Sequence, residues 1–263
     1  MDKMVFHSPV FGPIQSRRLG SSLGINLMPP ARKVCNFNCI YCECGWNLPT
    51  LPDKEGLSTL LPLPQEVAQA LEHNLRRLEQ EGNLPDAITF SGNGEPTLHP
   101  EFRRIVGQTV SIRDQFSPGT KVCVFSNAGT LHKPGVFEGL RMADLRIMKI
   151  DSAYENTLNL INKPGLGYSL CRTIGQLKRF GGDFTLQTLF FSGYIEGKRV
   201  NNTTEEELAA WVALVDELKP RQVMVYTLDR MTPAPDLIKC PLEKLQAIAA
   251  IIREKGYEVI VAG

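Results

Sequence analysis

Residues 35–44 read C-N-F-N-C-I-Y-C-E-C, which sets Cys35, Cys39 and Cys42 at C-x3-C-x2-C spacing and adds Cys44 two residues later. Thiols this dense in one loop are badly placed for local disulfides and well placed, as thiolates, for a soft metal or an iron-sulfur cluster. A four-iron cluster that also performs chemistry needs three protein thiolates and one iron left open, and this loop supplies them without help from elsewhere. The competing reading is a structural zinc site, where a fourth cysteine completes a tetrahedron; zinc loops, however, favour C-x2-C pairs separated by a longer spacer. A reactive thiol or a disulfide is the remaining alternative.

Other residues of chemical interest follow short apolar runs: Gly92-Asn93-Gly94-Glu95-Pro96, Ser126-Asn127, Lys149-x-Asp151, Gln187-Thr188 and Tyr226. The elements that must position them are read from periodicity. Strands are expected over 24–28, 87–90, 121–125, 145–150, 184–191 and 223–228, with a last short one over 257–261. Between them the apolar spacing predicts helices. One starts at Pro64, carries Val67, Ala68, Leu71, Leu75 and Leu78 on one face, and ends at Gly82. Others cover about 100–115, 135–141, 153–162 and 168–180. A capping box at Thr203-x-x-Glu206 opens the next helix, and the last carries Leu242, Leu245, Ile248, Ala249 and Ile252. Residues 11–20, rich in Gly, Pro and Ser with Arg17 and Arg18 adjacent, read as an irregular segment lying over the domain. Residues 46–63, with Pro49, Pro52 and Pro62, read as a long exposed connection.

Repeated βα steps imply α/β architecture with a parallel sheet and right-handed crossovers, either a partial (β/α)6 TIM-like barrel with outer helices or a doubly wound sheet. In either, chemistry belongs at the carboxyl ends of the strands, where the unusual residues above are found. The chain has 263 residues and is 43% hydrophobic, which suits one large α/β domain or two small ones and is enough for a substantial core. The expected division is a covering arm over 1–23, a barrel core over 24–230 and a closing helix and strand over 231–263. With 29 basic and 28 acidic residues the formal charge is +1, which gives no gross signal for nucleic acid or an anionic membrane. No signal peptide and no long apolar run is visible, and seven cysteines do not form a secreted disulfide pattern, so a reducing cytoplasmic location without membrane partners is expected. Cys123, Cys171 and Cys240 read as buried small hydrophobes, and the four histidines as surface or capping residues.

Cys35-x3-Cys39-x2-Cys42, with Tyr41 directly before the last cysteine, resembles the cluster loop of the radical S-adenosylmethionine (SAM) superfamily, and Gly94-Glu95-Pro96 resembles its GGEP motif, with Asn93 in place of glycine. The 12–20 and 90–97 segments are similar to one branch, iron-sulfur oxidoreductases related to the tRNA wyosine-synthesis radical enzyme. That enzyme is expected to carry further cysteines upstream, whereas this chain has none before Cys35.

The resemblance implies a 4Fe-4S cluster on Cys35, Cys39 and Cys42, with SAM chelating the open iron and Cys44 as a bystander. One electron then cleaves SAM, and the 5'-deoxyadenosyl radical takes hydrogen from a substrate. It also implies a small reductant protein of flavodoxin or ferredoxin type. The substrate class stays open among small molecule, peptide, partner protein and tRNA. Tyr41, Gly92, Gly94, Glu95, Pro96, Ser126, Asn127, Asp151, Gln187 and Tyr226 become candidate cofactor contacts. Lys149 is the candidate catalytic residue. An inward lysine in a strand is costly unless paired, so it neutralises SAM or substrate, pairs with an acid such as Glu95, or forms a Schiff base, the electrostatic role being preferred. The rival from another class is a non-enzymatic iron-sulfur or zinc protein used in electron transfer or regulation.

Overall fold

The structure is a computed structural model and describes residues 4–30, 32–47 and 59–263. Contacts group the chain into two compact units, one of Met1–Cys35, Asn47–Ser126 and Thr130–Arg146, the other of Asn36–Trp46, Asn127–Gly129 and Ile147–Gly263.

In the first unit, β1 (Val10–Ser16) pairs antiparallel with β2 (Gly20–Ile25), joined by a turn in which the Arg18 and Leu19 amides donate to Ser16 Oγ at 3.3 and 3.2 Å. This corrects two expectations. Residues 11–20 are not irregular, and the first parallel strand begins at Gly20 rather than near Gly24. Gly12 and Pro13 disguise β1, because they fall where its register slips between Phe11 and Ile14, and an edge or bulge is where a strand tolerates proline. Ser22 looks like loop but lies inside β2, its hydroxyl bonded to Thr89 Oγ1 at 2.6 Å.

β3 (Ala87–Phe90) and β4 (Lys121–Ser126) extend this sheet in parallel, with Ile25 opposite Phe90 and Thr89 opposite Cys123. All four residues of β3 are buried, as a strand covered on both faces requires. The helix α1 (Pro64–Gln80) buries Val67, Leu71, Leu75 and Leu78, and the Glu66 carboxylate caps its start by accepting the Leu63 amide at 2.7 Å. Each such side chain contributes about 1.5–3 kcal/mol by leaving water. Packing in this unit continues through α2 (Phe102–Phe116) and α3 (Pro134–Met142). Arg113 closes its far end, donating to Thr120 O and Asp144 Oδ2 at 2.6 Å each.

The second unit repeats the parallel pattern. It contains β5 (Leu145–Lys149) from Ile147 onward, then β6 (Thr185–Leu189), β9 (Gln222–Tyr226) and β11 (Glu258–Ala262), paired in that order. Lys149 stands opposite Gln187, and Leu189 opposite Tyr226. Helices α4 (Glu155–Ile161), α5 (Leu170–Lys178), α6 (Glu205–Leu218) and α7 (Leu242–Glu254) connect these strands. Trp211 on α6 is fully buried, donates to Thr188 Oγ1 at 2.9 Å and packs edge-on against Phe190.

The strand expected over 184–191 divides instead: β7 (Phe191–Ile195) and β8 (Lys198–Asn201) form a hairpin, and β10 (Leu237–Lys239) pairs with β7 in a separate three-stranded sheet. Glu196 and Gly197, both at positive φ, make the turn. The cap of α6 is Thr204, not Thr203; its Oγ1 accepts the Glu207 amide at 3.2 Å. Among the described residues no helix is long and apolar enough to cross a membrane. Cys123 and Cys240 are buried, but Cys171 is exposed on α5, contrary to its reading as a core residue.

Candidate functional site

In the first unit the residue before Cys35 and the glycine motif are joined directly. The Val34 amide donates to Asn93 O at 2.8 Å, and the Glu95 amide donates back to Val34 O at 3.1 Å. Gly94 has φ of +143°, and a Cβ placed there would lie 1.7 Å from Val34 O, so only glycine permits this approach. At Gly92, with φ +127°, a Cβ would lie 2.7 Å from Asn26 Oδ1, a less severe approach.

The side chain of Glu95 turns back into its own loop. Its Oε1 accepts the Thr97 amide at 3.2 Å, the Thr97 hydroxyl at 2.6 Å and the Ser126 hydroxyl at 2.9 Å. Pro96 then opens a single helical turn, Pro96–Leu98. Asn93, where the plain motif has glycine, is fully buried and structural: Nδ2 donates to Phe6 O and Pro29 O at 2.7 and 2.9 Å, and Oδ1 accepts the Phe6 amide at 2.8 Å.

In the second unit the remainder of the cysteine loop is clamped to the segment after α4. The Asn38 amide donates to Asn162 O at 3.0 Å, the Ile40 amide to Ile161 O at 3.0 Å, and the Gly165 amide to Asn36 O at 2.7 Å. Cys39 and Cys42 lie in consecutive tight turns, the Cys42 amide donating to Cys39 O at 3.2 Å and the Gly45 amide to Cys42 O at 2.8 Å. Cys35, Cys39, Cys42 and Cys44 form no disulfide. Asn127 Nδ2 donates to Asn36 Oδ1 at 2.7 Å, which holds the start of the loop, while its Oδ1 accepts the Gly129 amide at 2.9 Å.

Lys149, Asp151 and Tyr41 form one buried network. Lys149 Nζ lies 3.1 Å from Asp151 Oδ2, 2.9 Å from Tyr41 Oη and 3.4 Å from Cys39 Sγ. Tyr41 donates its hydroxyl to Asp151 Oδ2. Period-two alternation along the strand exit puts Lys149 and Asp151 on one side. The lysine therefore pairs with Asp151, and Glu95, the acid suggested from sequence, is engaged with Thr97 and Ser126 instead.

Burial alone would lower the Lys149 pKa, but the carboxylate of Asp151 and the neighbouring Cys39 and Tyr226 outweigh it and hold the ammonium above its ordinary value. A Schiff-base lysine needs the opposite shift, so the site favours a permanent cation. Burial, reinforced by Asp151 and Cys39, likewise raises the Tyr41 phenol and keeps it a neutral donor.

The sequence reading missed Asn162. Its side chain is buried, and Nδ2 donates to Asp151 Oδ2 at 2.7 Å, Tyr41 Oη at 3.0 Å and Cys39 Sγ at 3.4 Å. An asparagine ending a helix reads as an ordinary cap, and nothing in the one-dimensional pattern distinguishes it. Asn202 was missed for the same reason: it donates to Asp151 O at 2.8 Å and to Leu189 O at 2.7 Å, fixing the strand exits that carry the network. Asn162 Oδ1 and Gln187 Oε1 are buried with no hydrogen-bond partner among the described residues. Buried acceptors are rarely left so, and both suit donors of a ligand or ordered water. Among the described residues no three His, Cys, Asp or Glu side chains close around a single ion.

No family model matches the chain. Among curated proteins it is similar to a GTPase Obg of Brachyspira hyodysenteriae, 30% identical over 227 residues that make up 85% of this chain and 30% of that protein. It is also similar to a UPF0026 protein of Helicobacter pylori, 28% identical over 245 residues, 89% of this chain and 72% of that protein. The chain thus spans less than a third of the length of the first of these relatives. The sequence contains no G-x-x-x-x-G-K-S/T phosphate loop.

Among solved structures, a radical SAM methyltransferase from Sphaerobacter thermophilus aligns with TM-score 0.63 at 15% identity over 91% of this chain and 65% of that one. Streptococcus suis SuiB bound to S-adenosylmethionine aligns with TM-score 0.61 at 16% identity over 90% of this chain and 50% of that one. The chain therefore has the fold of the radical SAM enzymes, α/β with parallel strands and outer helices in the partial TIM-like barrel class.

Proposed function

We propose that the chain is a radical SAM enzyme that holds a 4Fe-4S cluster on Cys35, Cys39 and Cys42 and binds SAM beside it. The observation that carries this reading is the hydrogen-bonded junction of Val34 with Asn93 and Glu95, which ties the start of the cysteine loop to the glycine motif. Two motifs far apart in sequence meet there, on a fold whose solved examples include radical SAM enzymes. The donor set fits the cofactor: the loop offers soft thiols that are not held in disulfides, and the orphaned oxygens of Asn162 and Gln187 can accept ammonium or hydroxyl protons. When bound and reduced, the cluster with SAM supplies a 5'-deoxyadenosyl radical for hydrogen abstraction.

The rest is the work of the chain. Gly92 and Gly94 let the loop lie against Asn26 and Val34 where a Cβ would collide, and a peptide carbonyl there can accept from a donor of the ligand. Lys149 carries a fixed positive charge for a carboxylate, and Asp151 and Tyr41 hold it in place. Ser126, Asn127 and Tyr226 remain candidate ligand contacts at strand ends. A low-potential one-electron donor of flavodoxin or ferredoxin type fits the need for a reductant.

Iron and acid-labile sulfide analysis after anaerobic reconstitution tests the ligand set. Wild type and Cys44→Ala are expected to load a four-iron cluster, and Cys35→Ala, Cys39→Ala and Cys42→Ala to lose it. Failure of Cys44→Ala to load, matching Cys39→Ala, would refute the open iron. Deuterium transfer from candidate peptides, nucleosides and metabolites into 5'-deoxyadenosine then identifies the substrate.

A further inference from the structure

Cys39 has surroundings of a particular kind. It is 7% exposed, and two side-chain donors converge on its sulfur: Lys149 Nζ and Asn162 Nδ2, each at 3.4 Å. Neither belongs to the loop itself. Lys149 ends β5, and Asn162 caps α4, so the two donors reach the thiol from separate elements. Asp151 Oδ2 anchors both, accepting from Lys149 at 3.1 Å and from Asn162 at 2.7 Å. The Asp151 carboxylate is itself fixed by the Leu189 amide on Oδ1 at 3.0 Å.

Hydrogen bonds to a ligand sulfur withdraw charge from a cluster and favour its more negative, reduced state, which raises the reduction potential. A nearby ammonium in a low-dielectric site acts in the same direction. Building on the assignment of Cys39 as a cluster ligand, we propose that Lys149 and Asn162 are positioning residues that set the cluster's reduction potential through the Cys39 sulfur, with Asp151 aiming both. The couple takes one electron from an external low-potential donor, dithionite in the test, and no bond forms or breaks at Cys39. Lys149 has the larger influence because it brings charge as well as a donor, and its loss leaves the Asp151 carboxylate uncompensated.

The test is an EPR-monitored redox titration of the reconstituted full chain without SAM, with iron and sulfide content and melting temperature measured alongside. Lys149→Met is expected to lower the reduced-to-oxidised ratio at the wild-type midpoint by about tenfold, a shift of ~59 mV to more negative potential for one electron. Asn162→Leu should move the midpoint the same way by less. Lys149→Arg and Asn162→Gln, which keep a donor, should restore most of each shift. Midpoints equal to wild type in fully loaded Lys149→Met and Asn162→Leu would overturn the inference while leaving the cluster assignment standing. If Lys149→Met loads no cluster, the Asn162 pair decides, and equal midpoints for Leu and Gln overturn it. A wild-type chain that assembles no four-iron cluster defeats both.

Discussion

The 92–96 loop in the first unit and the Lys149 network in the second each fasten a part of the cysteine segment, Val34 in one case and Cys39 with Tyr41 in the other, and they do so by opposite means. Around Gly94 the restraint is backbone: two peptide hydrogen bonds to Val34 and glycines where a Cβ would collide, with the Glu95 carboxylate turned to Thr97 and Ser126. Around Lys149 it is side chain: a cation, a carboxylate, a phenol and an amide nitrogen hydrogen-bonded to one another, with the Asp151 side chain wholly buried and that of Lys149 15% exposed. Backbone fixes position at small electrostatic cost. A side-chain network adds charge and direction but fails when any member is removed, because the partner is left buried and unpaired.

The largest effect should come from that fragility. Asp151→Ala leaves the Lys149 ammonium without its carboxylate and is expected to cost about 3–5 kcal/mol in denaturant unfolding. The double variant with Lys149→Met should recover much of this loss, and a double variant as unstable as the single one would show that the pair is not the cause. Gly94→Ala comes next. Its Cβ meets a carbonyl, so the loop must shift, with a loss of ~3 kcal/mol in unfolding and faster hydrogen exchange at Val34 and Glu95. A normal exchange pattern there would break the backbone half of the comparison.

Asn93→Gly restores the plain motif and tests whether that position serves chemistry or the fold. Removing its bonds to Phe6 and Pro29 should cost ~2 kcal/mol while cluster loading persists. The smallest effect is a pH dependence at the end of the same loop. Burial holds the His99 imidazole below its ordinary value, against opposing contributions from Pro62 and Glu101. A depressed histidine binds fewer protons folded than unfolded, so its contribution is full above about pH 6.5 and is lost as pH falls below that toward the folded value. His99→Gln should flatten the unfolding free energy across that acidic window, and an unchanged slope would remove His99 as the cause.

Periodicity showed where helices and parallel strands lie, because a buried parallel strand and an amphipathic helix leave contrasting apolar spacings, as in Ala87–Phe90 and Pro64–Gln80. It failed where composition imitates a loop. Gly12 and Pro13 hid β1, the first residue of the half-exposed strand Phe191–Ile195 ran together with β6, and Lys198–Asn201 gave no strand signal at all. The long connection expected over 46–63 lies largely outside the described residues.

For the site, the side-chain types and strand-end positions of Cys39, Lys149 and Asp151 were readable from the residues alone. Their mutual pairing was not, because Asn162 and Asn202 act through tertiary contacts that a single asparagine does not announce. Lys149 shows the limit well. Its strand position argued for a partner, but only the register of β5 and the turn after it chose Asp151 over Glu95.

The most direct test of the central claim is release of 5'-deoxyadenosine, measured by mass spectrometry after anaerobic reconstitution with iron and sulfide and addition of dithionite and SAM. Release is expected from wild type and from Cys44→Ala, and none from Cys39→Ala. A stable zinc adduct on the cysteine loop with no SAM turnover would contradict it.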